Sequence, residues 1–348
     1  MSLSTMFRRA AASALVLLAV GAMDRADAQS KTRLTVYTAI ENDQLQPFKA
    51  AIEKAVPGVE IAWVRDSTGV ITARFLAEKD NPRADIVWGL AVSNIQFLKA
   101  RDVLQPYTPV GFDKIPAKFR DAATPPTWFG NSAWICAIVY NDIEGKKRNI
   151  PAPKTWSDLT NPAYKGQIVM PHPISSGTGF MYVVAWLQAY GEEAGWKLMD
   201  GIHENISRYT HSGSAPAVIA GRGEQVVGLA FELRGSRLKE EGAPISLILP
   251  TEALGWDMNA IALVKGTKKL EAAKTLMNWA ASPEAMKIYG ATRSVVAVPG
   301  MAKKLPHVPA DIADRIMKQD FAWSAENRDR ILAEWEKRYG SKAEPKKK

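Results

Sequence analysis

Cysteine is almost missing from this sequence, with Cys136 the only one in 348 residues. A single thiol excludes an internal disulfide and every C-x-x-C zinc or redox pair. Cys136 lies within the apolar run Trp134–Tyr140 and reads as a small core residue. Histidine is scarce too. His172, His203, His211 and His307 are scattered, with no H-x-x-x-H spacing, so the usual zinc constellations are absent. His203 falls at helical spacing in an amphipathic segment and reads as structural, whereas His211 stands near a candidate binding loop. There is no nucleophile elbow and no G-x-x-x-x-G-K loop. Asp66-Ser67-Thr68 superficially suggests a phosphohydrolase nucleophile loop, but that chemistry needs a metal cage. The reading is therefore a binding protein rather than an enzyme, with no metal and no cofactor.

Long apolar runs are confined to the start of the chain. Arg8 and Arg9 precede the run Ala10–Ala22, and Ala26-Asp27-Ala28 fits a cleavage site before Gln29, so residues 1–28 read as a cleaved signal peptide. The run is too short to span a bilayer. The paired arginines lack the rest of a twin-arginine motif, which points to general secretion. No cysteine is near the cleavage site to accept a lipid. The expected product is a free, soluble periplasmic protein. Acidic residues are also short: 36 against 45 Lys and Arg, for a formal net charge of +9. Export argues against nucleic acid as a partner, Lys346-Lys347-Lys348 reads as a solvated tail, and the remaining basicity slightly favours an anionic ligand.

What the chain does contain is ordinary globular composition, 47% hydrophobic and 23% charged, over a length suited to two cores. Leu34–Thr38, Val59–Arg65 and Asp85–Trp88 read as strands, with helices between them from about Leu45 to Ala55 and from Val70 to Lys79. A second block offers strands at Gln167–Met170, Val226–Phe231 and Ile245–Leu249, with helices near 179–190, 193–205 and 215–220. A long strand at Trp256–Val264 and helices at 270–281, 282–289 and 326–339 complete the chain. Repeated β-α-β units imply mostly parallel sheets flanked by helices. The prediction is an α/β protein of two lobes joined by two crossings, near Trp134–Tyr140 and Gly255–Ala262. Lobe 1 takes residues 29–135 and 263–348, and lobe 2 takes 136–262.

Ligands of open α/β sheets sit beyond the strand ends, where helix N-termini point amides outward. Three loops have that chemistry: Ser67, Thr68 and Gly69 after the second strand; Ser175, Ser176, Gly177 and Thr178; and Thr210, Ser212 and Ser214 around Gly213. Each is also an ordinary helix cap taken alone. Their convergence on an interlobe cleft would suit a phosphate, phosphonate, sulfate or carboxylate. Glu41, Glu232 and Asp257, with Tyr37, Trp88 and Trp256, could serve a cation. Trp88 and Tyr37 fit core packing as well, and Glu232 could pair with Arg234 or Arg237.

Several stretches carry a family resemblance: Leu34–Ala39, Trp63–Val70, Ala84–Gly89, Tyr164–Met170, Ile174–Phe180, Tyr209–Ser214 and Gly255–Met258. Together they resemble the periplasmic 2-aminoethylphosphonate-binding proteins of ABC transporters. That group is a branch of the type II solute-binding proteins, beside ferric-ion and polyamine receptors. The resemblance implies a two-lobed fold closing by hinge motion, a membrane permease as partner and a monomeric receptor. It also implies phosphonate at Ser67, Thr68, Ser175, Ser176, Gly177, Thr178, Thr210, Ser212 and Ser214, and the amine near Glu232, Asp257, Tyr37 or Trp256. Phosphate or another phosphonate, a polyamine, ferric ion and a phosphonate-cleaving activity remain as alternatives. The ferric branch grips metal with adjacent tyrosines, where this chain has Tyr209-Thr210.

Overall fold

A computed structural model describes residues 31–298 and 300–345. The leader over residues 1–28 and the lysine tail 346–348 lie outside the described residues. In chain order the elements are β1 (Thr32–Thr38), α1 (Asn42–Ala55), β2 (Val59–Arg65), α2 (Thr68–Ala77), β3 (Ile86–Ala91), α3 (Val92–Lys99) and β4 (Leu104–Gln105). β5 (Trp128–Asn141) and α4 (Asp142–Lys147) precede the second block: β6 (Ile168–Pro171), α5 (Gly177–Tyr190), α6 (Glu192–Asn205), β7 (Ile206–Thr210) and α7 (Ala215–Gly221). Then come β8 (Val227–Phe231), α8 (Glu232–Glu240), β9 (Ile245–Ile248), β10 (Trp256–Val264), α9 (Leu270–Ala280), α10 (Pro283–Gly290), α11 (Ile312–Arg315), α12 (Phe321–Glu326) and α13 (Arg328–Tyr339).

β1, β2 and β3 pair in parallel, as β-α-β units require, and β10 closes this sheet by running antiparallel to β3. In the second lobe β6 pairs in parallel with β7 and β8. Each sheet is thus mixed, parallel where it is built from β-α-β units and antiparallel where the connecting strands join. β5 makes the link. Its first half, Trp128–Ile135, pairs with β10, and its second half, Cys136–Tyr140, pairs with β8. All fourteen residues of β5 are buried, which is why its stretch Trp134–Tyr140 reads as an unbroken apolar run rather than an alternating one. One apolar core runs continuously through both lobes along this strand.

Two boundaries differ from expectation. β10 lies wholly in the first sheet, because Asn259–Leu263 pair with β3, so residues 256–262 leave lobe 2. The crossing is made just before it, at Gly255, where a Cβ would stand 2.4 Å from that of Ala185 and 3.2 Å from Cys136 Sγ. The second difference is at the C-terminus. α12 packs against α3 of lobe 1, but α13 lies on lobe 2. Trp335 stacks edge-on at 4.6 Å from His172 and 4.7 Å from Tyr209, and Tyr339 donates to Asp200 Oδ1 at 2.6 Å. The body of α13 around Trp335 and Tyr339 therefore packs on lobe 2, while Asp329 at its start still meets Arg101 of lobe 1, so the chain passes between the lobes three times instead of two.

Candidate ligand-binding site

The ends of β1 and β2 and the N-termini of α2 and α5 meet between the lobes. They enclose a cleft with about 510 Å³ of space free of protein atoms, its open mouth included. Arg65 ends β2, Ser67 and Thr68 open α2, and Ser176, Gly177 and Thr178 open α5. The first amides of a helix have no partner within it, and its dipole favours negative charge there. Ser176 caps α5, its Oγ accepting from Gly179 N at 3.3 Å. Ser67 occupies the cap position of α2 without making a capping bond, which leaves its hydroxyl for another partner.

Arg293 adds a second guanidinium to the cleft wall. It is almost fully buried and donates to Gln44 Oε1 at 2.9 Å. Burial pulls its pKa down to about 10, against the attraction of Glu232, so it stays cationic at neutral pH. Glu41 is the carboxylate of the lining: it faces Arg65 at 3.8 Å and accepts from Ser214 Oγ at 3.1 Å. The lobes already touch. Gly69 N donates to Ser175 O at 2.9 Å, His211 Nε2 lies 3.3 Å from Asp66 Oδ1, and Arg237 pairs with Asp43.

Of the residues singled out in the sequence, Ser67, Thr68, Ser176, Gly177 and Thr178 line the cleft. The others do not. Ser175 Oγ donates to the carbonyls of His172 and His211, tying two loops together, and Thr210 is buried with its hydroxyl on Ser212 O. Ser212 and Ser214 share a hydroxyl–hydroxyl bond at 3.0 Å, and their neighbour Gly213 is the lining residue.

The expected amine partners stand away from the cleft. Tyr37 is in the lobe 1 core, its hydroxyl donating to Glu78, because alternation along β1 turns it away from the cleft. Trp88 packs among Trp63, Trp279 and Tyr289. Trp256 faces Phe119 and Phe321 and gives its indole N–H to Met317 O. Asp257 accepts from Val92 N, Ser93 Oγ and Met258 N, holding the start of α3. Glu232 is fully buried at the hinge, accepting from Ile135 N at 2.8 Å and Ser294 Oγ at 3.1 Å. Burial raises its pKa, opposed by the Ile135 amide and by Arg293.

Arg65, Trp134, Asn259 and Arg293 were missed. Arg65 carried a signal, a basic residue immediately before Asp66-Ser67-Thr68-Gly69. Arg293 carried none, since its loop follows α10 and reaches the cleft only through the tertiary fold. Among the described residues no group of three His, Cys, Asp or Glu side chains is placed to hold a metal ion, and Tyr209 is buried against Trp335 and His203.

Two lobes closed over a cation-lined cleft, with a hinge of crossing strands, define a solute receptor. The profile of the bacterial extracellular solute-binding protein family matches residues 81–325, and the chain belongs to that family: it is a binding protein, not an enzyme. No described helix is long and apolar enough to cross a membrane. The chain is similar to the periplasmic binding protein AfuA of Actinobacillus pleuropneumoniae, solved with exogenous fructose-6-phosphate bound. The TM-score is 0.83 at 28% identity, covering 89% of this chain and 99% of that one. It is 28% identical to the probable ABC transporter periplasmic-binding protein y4fP of Sinorhizobium fredii, across 84% of this chain and 82% of that one. A Salmonella paratyphi A periplasmic protein provisionally named as 2-aminoethylphosphonate-binding is 23% identical across 78% of this chain and 81% of its own length.

Proposed function

We propose that this protein is the periplasmic receptor of an ABC importer and that it carries a small organic phosphate or phosphonate to the permease. The observation that carries this reading is the meeting of Arg65 and Arg293 with the N-termini of α2 and α5 in one closed cleft. Two guanidiniums and two helix N-termini suit a doubly charged oxyanion, and they oppose polyamines. Ferric ion would lack the acidic and phenolate donors it needs. The fructose-6-phosphate bound by AfuA agrees with a phosphoryl ligand.

A narrower reading is 2-aminoethylphosphonate, which would require Glu41, the lining carboxylate, to exchange Arg65 and Ser214 for the ammonium while the phosphonate occupies the helix ends.

Thermal unfolding of the purified protein tests both. Phosphate, fructose 6-phosphate, 2-aminoethylphosphonate, putrescine and ferric citrate would each be added in excess. A true ligand at one hundred times its Kd stabilises by about 2.7 kcal/mol, a shift of several degrees. Shifts are expected with phosphoryl or phosphonyl compounds and none with putrescine or iron. Thr178→Ala should weaken binding by roughly 1–3 kcal/mol. If Thr178→Ala and Ser67→Ala both bind the best ligand as tightly as wild type, the ligand sits elsewhere.

A further inference from the structure

At the hinge end of the cleft stands Trp134, from the lobe 1 half of β5. Its side chain lines the cleft, is 7% exposed, and has an indole N–H with no acceptor in the protein. A buried donor left unpaired is costly, because it has given up water without gaining a partner. Trp128, Trp186 and Trp279 also hold unpartnered indole N–H groups, but none of them lines this cleft. The neighbours of Trp134 do not relieve it. Asn259 turns its amide nitrogen to Ser132 Oγ at 3.0 Å and its Oδ1 makes no bond to the indole, and Arg293 brings further N–H donors. Nearby carboxylates are taken: Glu232 by Ile135 N and Ser294, and Glu41 by Arg65 and Ser214.

We infer that the solute supplies the missing acceptor, so that Trp134 selects ligands carrying an oxygen acceptor at the end remote from their phosphoryl or phosphonyl group. This rests on the phosphoryl reading of the cleft proposed above. The anionic group sits at the helix N-termini of α2 and α5, and a hydroxyl, carbonyl or carboxylate oxygen reaches back to the indole. The ligand class is then a phosphorylated or phosphonylated polyol or hydroxy acid. An ammonium at the same end would set donor against donor, beside the positive charge of Arg293, with no free carboxylate to receive it. Sites built around hydrogen-bond donors discriminate sharply, because the wrong ligand leaves the buried group unpaired.

Four phosphonates of matched length isolate the terminal group: ethylphosphonate, 2-hydroxyethylphosphonate, phosphonoacetate and 2-aminoethylphosphonate. Calorimetric titration of the wild type should show the hydroxyl or carboxylate compound binding at least about tenfold tighter than ethylphosphonate, with the amine gaining nothing. In Trp134→Phe, which keeps the ring and removes the donor, the ratio of oxygen-bearing to ethyl affinities should fall to about threefold or less. Tightest binding of the amine by wild type overturns the inference and leaves the phosphonyl site standing. So does an undiminished ratio in Trp134→Phe. Binding of none of the four overturns the phosphoryl reading itself, and the inference with it. Should Trp134→Phe fail to fold, the wild-type ranking alone decides.

Discussion

Asp257 is a carboxylate sealed inside the hinge, and its environment works in two directions. Burial raises its pKa to about 7, while bonds from Ser93, Met258 and Val92 favour the charged form without cancelling the shift. Between the ordinary carboxylate value and about pH 7 the folded state holds a proton that the unfolded chain releases. Stability from this group therefore falls as pH rises through that window, and the cost is complete above it. Asp257→Asn can keep all three bonds. The amide oxygen accepts from Val92 N and Met258 N, and the amide nitrogen donates to Ser93 Oγ once that hydroxyl turns. The expected outcome is a stability that gains on wild type from pH 4 to pH 8 by an amount on the order of a few kcal/mol, read as a widening Tm difference. A constant difference across that range would show that Asp257 is ionised throughout. Tyr37, Trp88, Trp256 and Asp257 teach one lesson at this scale. A polar or aromatic residue at the end of a strand or beside a crossing has the right chemistry for a ligand, but which face it takes depends on pairing partners distant in sequence.

At the scale of elements, the two helices whose N-termini open on the cleft also touch each other. Gly69, in the first turn of α2, donates to Ser175 O from the other lobe, and a Cβ there would stand 1.9 Å from Ile174 O. Gly177 is similarly close, its Cβ position lying 2.9 Å from Thr68 Oγ1. Glycine at these positions lets the helices close to contact. Gly69→Ala should leave the separated lobes intact, since alanine favours a helix over glycine by about 1 kcal/mol. It should also prop the cleft apart. The prediction is affinity reduced by at least about tenfold with an unliganded Tm at or above wild type. Small-angle scattering should show less compaction on ligand addition. Unchanged affinity would mean that the ligand-bound lobes do not approach as closely as they do here. The helix starts themselves were legible, because Ser-Thr-Gly and Ser-Ser-Gly-Thr are capping sequences ahead of apolar periodicity. That Ser175 would bridge loops while Ser176 faced the cleft was not legible, since one residue of rotation at a helix start reverses the side presented.

For the whole molecule, the third crossing matters most. α13 leaves lobe 1 at Asn327 and buries Trp335 between His172 and Tyr209 of lobe 2, while Arg330 forks onto Glu192 at 2.9 and 2.5 Å. The surface ion pair contributes little, so the helix is held chiefly by its aromatic face. Trp335→Ala should cost about 3–5 kcal/mol, lowering the Tm by roughly 10 °C, with the loss centred on lobe 2. A calorimetric profile unchanged from wild type would show that α13 is not part of the cooperative unit. Three strands of chain at the hinge also limit how the lobes can separate, favouring rotation about β5 over free swinging.

Composition and local pattern determined the class of this protein: two α/β blocks, apolar crossing segments and hydroxyl-rich helix starts. Those features depend on neighbours within a few residues, where backbone periodicity and capping chemistry act. Only the tertiary structure decided that Arg293 and Trp134 join the cleft, that Glu232 and Asp257 are occupied inside the hinge, and that α13 returns to the second lobe. Each of those outcomes depends on which buried surface a segment meets after chain crossings of tens to hundreds of residues. Such contacts are selected by packing and by the satisfaction of buried polar groups, and they leave no periodic trace in the sequence.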